Sequence, residues 1–368
     1  MPHLLVAISS HGFGHAMQAS LVVNALRARL PTLQITLRTQ VSPRLLATRL
    51  HGDFQLLPVS SDFGMCMDSA VDIDLAASAA AYTAFHTDWP KKVAAEANAL
   101  TATHADLILA DIPYLTLAGA QQAGMPAVAL CSLNWADIYW HYCAKQPNAE
   151  PIHQQMLAAY RSAKYFLQAE PSMPMTDLEN TRPIGPLAQL GINRRAVINQ
   201  QLQLNPKQRL VLVALGGIEM PLPMQSWPQM PGVSMLIPAA WHIQRPNTFA
   251  WENLGLNFID VLCACDAIIT KPGYGTFTEA ACNGVAVLYL ERPDWPETVY
   301  LEAWLKKQAR AISISRLQLE QGAIMDSLEQ VLAAPKPERP NANGAEHAAD
   351  LLLPLLLGTE NREWGIGS

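Results

Sequence analysis

Near the amino terminus, His11 and His15 stand with Gly12 and Gly14 in the stretch Ser9-Ser10-His11-Gly12-Phe13-Gly14-His15-Ala16-Met17-Gln18, directly after the apolar run 4–8. Glycines where a first strand turns into a first helix let the backbone bend tightly and approach a ligand. The amides that open such a helix face outward at the positive end of its dipole. Three chemistries suit the turn: a dinucleotide fingerprint, a metal site, or a base beside a phosphate-sized anion. The first lacks the third glycine of GxGxxG, and the second strand ends in Arg38-Thr39-Gln40 where a ribose-binding acid is needed. The second has two histidines that straddle the turn, with no carboxylate or third histidine in sequence beside them. For the third, the positive helix end disfavours an imidazolium, which makes His15 a neutral general base; its alternative role is a hydrogen bond within the loop. His11 is expected to be a loop residue.

Asp111 closes the apolar run 106–112. In a doubly wound order 3-2-1-4-5 that fourth strand lies beside the first, so the carboxylate would reach His15, hold its ring and stabilise the imidazolium formed on proton abstraction. The competing use of Asp111 is to cap the helix that starts near 114, with Pro113 in its first turn.

A second chemical centre lies in 270–305. Lys271-Pro272-Gly273-Tyr274-Gly275-Thr276 follows a short strand and leads into a helix, which again makes an anion cradle, here with a lysine beside it. Thr276 and Glu279 have capping-box spacing, so Glu279 has a purely structural reading as well. The following strand ends in Glu291-Arg292-Pro293-Asp294-Trp295-Pro296-Glu297-Thr298. Carboxylates at a strand end suit hydroxyl-rich ligands, because each oxygen accepts from an uncharged donor. The block 134–142, rich in Trp and Tyr, reads either as a platform for a sugar face or as packing. The Met-rich stretch 63–68 reads as a mobile loop.

These residues need parallel sheets to position them. Strands are expected at 4–8, 33–39, 54–60, 106–112, 127–132 and 164–170, with helices at 15–30, 76–103 and 114–123. The near-continuous Val/Ile/Leu character of the strands indicates sheets covered on both faces. A Pro-rich break at 171–192 interrupts the pattern. It restarts with strands at 209–215, 233–238, 266–270, 285–290 and 310–315, and helices at 257–265, 277–283, 298–308 and 317–333. The expected architecture is α/β: two doubly wound Rossmann-like domains, 1–175 and 193–340, joined by a linker at 176–192 and facing across a cleft. A terminal helix in 341–368, containing Pro354, is expected to return to the first domain.

At 368 residues, half of them apolar and 15% charged, the chain suits a buried two-domain enzyme. A net charge of −6 gives no general field for nucleic acid or an anionic membrane, so any anion must be held locally. No apolar run approaches bilayer length and no signal-like start is present, which makes a cytoplasmic location the expectation. The six cysteines form no CxxC pair and are expected to be mostly small buried residues.

The combination of "HGFGHAMQ" with "TKPGYGTFTEAACNG" and "LERPDWPE" resembles the GT-B nucleotide-sugar glycosyltransferases, among them the peptidoglycan N-acetylglucosaminyltransferase and the monogalactosyldiacylglycerol synthases. With the segment 110–142, it is similar above all to the glycosyltransferase-like amino-terminal half of arabinokinase. The resemblance implies an inverting transferase that uses a nucleotide-sugar donor, UDP-linked, an acceptor hydroxyl on a glycan or lipid-linked molecule, and no required metal or cofactor. It implies His15 as the base, with Gly12 and Gly14 close to the diphosphate. Gly216, Gly217, Lys271, Gly273, Tyr274, Gly275 and Thr276 would hold nucleotide and phosphates, Glu279 the ribose, and Asp294 and Glu297 the transferred sugar. Glu219 departs from the pattern, since a carboxylate pointing inward there would repel a diphosphate. No GxxxxGK[ST] loop of a kinase is present. A non-catalytic nucleotide-sugar binder and a nucleotide-sugar epimerase share this architecture. The sugar, the acceptor and the oligomeric state stay open.

Overall fold

In this computed structural model, residues 1–11, 13–69, 72–216 and 222–359 are described; Gly12, Gly217 and Glu219, singled out above, lie outside them. The chain divides into two compact units, Met1–Leu187 with Asn343–Ser368, and Ala188–Ala342.

The first unit runs β1 (His3–Ile8), α1 (Gly14–Arg29), β2 (Gln34–Arg38), α2 (Pro43–Arg49), β3 (Gln55–Leu57), α3 (Leu75–His86), α4 (Trp89–Thr101), β4 (Leu107–Asp111), α5 (Tyr114–Ala123), β5 (Ala127–Cys131), α6 (Trp135–Cys143), α7 (Ala149–Arg161), β6 (Phe166–Ala169) and β7 (Thr181–Ile184). All seven strands are parallel, in the order β3-β2-β1-β4-β5-β6-β7. Every residue of β4 and β5 is buried, as strands covered on both faces require. The order reverses at β1 and β4, and crevices beyond the carboxyl ends of such strands are where ligands bind.

The second unit runs α8 (Arg195–Gln201), β8 (Arg209–Val213), β9 (Val233–Ile237), β10 (Thr248–Ala250), α9 (Phe258–Ala264), β11 (Ala267–Thr270), α10 (Tyr274–Asn283), β12 (Ala286–Leu290), α11 (Thr298–Gln308), β13 (Ala311–Ile314), α12 (Arg316–Gln321) and α13 (Met325–Ala333). Its six strands are also parallel, ordered β10-β9-β8-β11-β12-β13, with the reversal between β8 and β11. The last helix, α14 (Gly344–Leu356), belongs to the first unit: it packs on α1, and Arg29 pairs with Asp350.

Local chemistry explains where the elements differ from the expected ones. The single helix expected at 76–103 is two helices, because Asp88 is left-handed (φ 54°) and Pro90 falls in the first turn of α4, where a proline cannot continue the preceding helix. The helix expected at 317–333 is divided at Gly322 (φ 68°), after a capping box between Ser315 and Gln318 starts α12. Within the expected linker, 181–184 forms β7, and Pro183 is tolerated there because β7 is an edge strand. The stretch 63–68, expected to be mobile, is packed: Phe63 meets Tyr82 and Phe85, Met65 is buried, and the Cys66 amide donates to Ser78 Oγ.

Arg38 ends β2 inside the core. It is buried and forms a two-point ion pair with Glu96, its Nη2 lying 2.8 Å from Oε2. Ser61 and Thr116 also donate to Glu96 Oε1, at 3.1 and 2.9 Å, so β2, α4, α5 and the loop after β3 meet at one carboxylate. Removing one partner of such a pair strands a buried charge. Arg38→Met should therefore lower unfolding free energy by about 3–5 kcal/mol in urea titrations. The double variant Arg38→Met/Glu96→Met should lose distinctly less.

Candidate active site

The first-unit site is built on the reversal of strand order. Parallel pairing sets Ile8 opposite Asp111, and the Ser9 amide donates to the Asp111 carbonyl at 2.7 Å. The chain then turns and α1 begins at Gly14, which puts His15 in its first turn. His15 Nδ1 lies 2.8 Å from Asp111 Oδ1, both residues being buried. An imidazole N–H donating to a carboxylate fixes the tautomer and directs Nε2 at a substrate. Among the described residues, Nδ1 carries the hydrogen bonds of this ring. Asp111 does not cap the following helix: α5 has Pro113 at its N-cap and no side-chain cap.

The expected neutral His15 is corrected by this contact. Burial disfavours the imidazolium, but the Cys131 sulfur and the Asp111 carboxylate beside the ring together outweigh it and hold the His15 pKa well above its ordinary value. The partial charge of a helix end is small beside a full carboxylate charge in a buried site. Burial pushes Asp111 up, and His15 opposes that shift.

Two residues of the site carried no chemical assignment in the sequence. Cys131, at the end of β5, has its Sγ 3.6 Å from His15 Nδ1, and Gln18 Nε2 reaches the same sulfur at 3.8 Å. Asp62, in the loop after β3, is 6% exposed, and its Oδ2 accepts from Trp135 Nε1 at 2.9 Å. Burial pushes the Asp62 pKa up to about 6 against the opposing influence of His15. The Trp135 ring meets His15 at 5.6 Å and His11 at 5.2 Å between centroids. Trp135 and Tyr139 are fully packed and serve as core, whereas Trp140 of the same block is 37% exposed and stacks on His153. Strand-end position is a usable signal for Cys131; a single acid in a Ser/Asp/Gly loop gives little signal for Asp62.

His15, Asp111 and Cys131 place three ligand-type atoms within 4.8 Å of one another, so the histidine has the carboxylate and thiol companions that sequence spacing did not show. His11 is not among them. The Nδ1–Oδ1 distance is that of a hydrogen bond, and burial pushes the Cys131 thiol up to about 11, so the trio as arranged bears protons.

In the second unit, Gly216 (φ +88°) follows β8, and a Cβ added there would come within 2.9 Å of Lys271 Cε. The Lys271 side chain thus crosses Gly216 between the carboxyl ends of the two central strands. Burial, followed by the charge of Arg292, pushes the Lys271 pKa down to about 8. Helix α10 begins at Tyr274 with Gly273 as N-cap, no side-chain cap and no acid in its first turn. Gly275 and Thr276 complete that turn, and space is open beside Gly273 as it is beside Gly14. Because the helix starts two residues before Thr276, Glu279 lies in its second turn, is 2% exposed and closes no capping box. Asp294 is exposed, whereas Glu297 is buried and accepts from Trp295 Nε1 at 3.3 Å. Arg292 stacks 4.7 Å from the centre of the Trp295 ring.

Titration of His15 followed by imidazole NMR should show a midpoint above the ordinary histidine value. Asp111→Asn removes one of the groups that raise it while burial remains, so the midpoint should fall. The sign for stability follows. The pair's contribution is complete below the unfolded histidine pKa and is lost as pH rises through the raised folded value.

No family model matches the chain. It is similar to L-arabinokinase of Arabidopsis thaliana, with 23% identity over 376 residues that take in 97% of this chain and 35% of that protein; the chain thus spans about a third of its relative's length. Among solved structures, Arabidopsis thaliana UGT89C1 complexed with UDP matches with a TM-score of 0.58 and 15% identity, over 97% of this chain and 100% of that one. A Listeria monocytogenes protein described as a UDP-N-acetylglucosamine 2-epimerase matches with a TM-score of 0.57 and 13% identity, over 97% of both chains. The chain has the GT-B glycosyltransferase fold.

Proposed function

We propose that this chain is an inverting glycosyltransferase that moves a sugar from a nucleoside diphosphate donor, UDP-linked, to an acceptor hydroxyl. The observation that carries the reading is the buried His15–Asp111 pair at the strand-order reversal, with Nδ1 committed to Asp111 and Nε2 not. The GT-B fold and the similarity to a UDP-bound plant glycosyltransferase support the donor class. The acceptor oxygen attacks the anomeric carbon as the bond to the diphosphate oxygen breaks. In the neutral-ring form, populated as pH rises toward and past the raised His15 pKa, Nε2 takes the acceptor proton, Asp111 stabilises the imidazolium so formed, and the electron pair of the broken bond leaves on the diphosphate. A single displacement of this kind inverts the anomeric centre.

In the second unit, the amides opening α10 and the Lys271 ammonium suit the diphosphate, and the developing charge is met by donors already in place. Glu279 is assigned to the ribose and Asp294 to the sugar. The burial of Glu297 against Trp295 makes it a support for that loop. No metal enters this mechanism.

The protein incubated with a panel of UDP-sugars and hydroxyl acceptors should release UDP, with and without a chelator. His15→Ala should slow release by about a thousandfold. Binding of UDP-sugars with no turnover over a broad acceptor panel would point to a non-catalytic binder, and epimerisation of a free UDP-sugar to an epimerase.

Lys271 must be protonated to attract the diphosphate. UDP affinity measured by calorimetry should therefore weaken as pH rises through about 8. Lys271→Met should bind UDP more weakly at pH 7 and lose that pH dependence.

A further inference from the structure

Around His15, buried polar atoms gather that have no hydrogen-bond partner among the described residues: Ser9 Oγ, Gln18 Oε1, Asp62 Oδ1 and Asp111 Oδ2. Buried polar groups in folded proteins are overwhelmingly paired, and those left over at one place call for a specific explanation. Asp62 stands out among them. Its Oδ2 is anchored on the Trp135 indole, and its position is braced from Ser61 through Glu96 to Arg38. Trp135 is itself held, its amide donating to the Tyr160 hydroxyl at 3.2 Å while that hydroxyl donates to the Ile112 carbonyl next to Asp111. The carboxylate is therefore rigidly placed with one oxygen unused. The Ser9 hydroxyl lies beside this carboxylate and favours its charged form.

We propose that Asp62 Oδ1, with Ser9 Oγ, is a hydroxyl-binding subsite of the acceptor, and that the acceptor is a saccharide or other polyol rather than a monohydroxylic aglycone. This rests on the transferase reading, in which His15 Nε2 takes the reacting hydroxyl. The chemistry follows from the donors and acceptors present. A carboxylate oxygen in a buried site accepts from a neutral O–H, whereas an anionic ligand would be repelled by Asp62 and Asp111 together. A ligand with one hydroxyl satisfies His15 and leaves Asp62 Oδ1 unpaired. A ligand with neighbouring hydroxyls satisfies both. Sites built to hydrogen-bond a substrate hydroxyl reject analogues that lack it, because their own buried groups are then stranded. The same reasoning places Trp135 as a support and not as a stacking surface, since it is already fully buried.

The test is equilibrium binding followed through the Trp135 indole N–H resonance, with free hexoses, pentoses and disaccharides as probes and 4-nitrophenol as the monohydroxylic control. Asp62→Asn keeps an oxygen for the indole and replaces the other by an amide, so packing is retained. It should weaken saccharide binding by roughly tenfold, with a smaller loss for Ser9→Ala. The proposal is overturned if Asp62→Asn binds saccharides within about twofold of the wild type. It is equally overturned if no saccharide shifts the resonance, or if 4-nitrophenol binds as well as they do. Saccharide binding without UDP release from any UDP-sugar would overturn the transferase reading and leave the subsite standing.

Discussion

The hydrogen bond between His15 and Asp111 depends on strand register. Asp111 reaches the ring only because β4 pairs with β1 so that Ile8 faces Asp111 and the chain leaves β1 directly above it. A slip of one residue would send the carboxylate to the opposite face of the sheet. The complete burial of β4 and β5 makes such a slip costly, since it would exchange an ionisable group with a core position. Fold and chemistry are thus coupled at one point: the apolar strands set the register, and the register sets the pair.

The surroundings make that pair rigid. Asp62 is reached through Trp135, and Trp135 through Tyr160, which also touches the peptide after Asp111. From the other side, the loop carrying Asp62 is tied to Glu96, which Arg38 neutralises. Gly119 belongs to the same arrangement, because a Cβ there would come within 2.5 Å of Glu96 Cγ and push the carboxylate from its partners. Buried ionic groups gain little net stability over apolar ones, so their value here lies in fixing geometry. A base that must meet a hydroxyl within hydrogen-bond reach needs that fixity.

Much of this was legible from residue order. The β–α alternation, the glycine-rich turns and the strand-end position of Asp111 are local features, and strand order in doubly wound sheets translates them into proximity. What escaped was non-local. Pro183 hid β7, because only its edge position makes a proline acceptable there. Glu279 was readable as a cap because helix starts are uncertain by a residue or two, and the difference decides between a capping acid and a buried one. The protonation preference of His15 was misjudged because a helix end is visible in sequence, whereas the depth at which a carboxylate lies beside it is not. Asp62 gave no signal because its meaning comes wholly from Trp135, seventy-three residues away.

The sign of charge separates the two candidate subsites. The His15 ring stands among the carboxylates of Asp111 and Asp62, the latter with its pKa pushed up to about 6 by burial. That group carries a surplus negative charge in a buried setting, which favours neutral hydroxyl donors and opposes phosphate. The turn at Gly273 has the opposite character: an uncapped helix start with Lys271 and Arg292 near it and no acid in its first turn. Both glycine-rich turns lead into a helix N-terminus; the second has Lys271 and Arg292 beside it, whereas the first has His15 bound to the Asp111 carboxylate. In the proposed reaction, this contrast assigns the diphosphate to the second unit and the acceptor to the first. For that reaction, the open space beside Gly14 suits a hydroxyl-bearing ligand next to the base better than a phosphate contact.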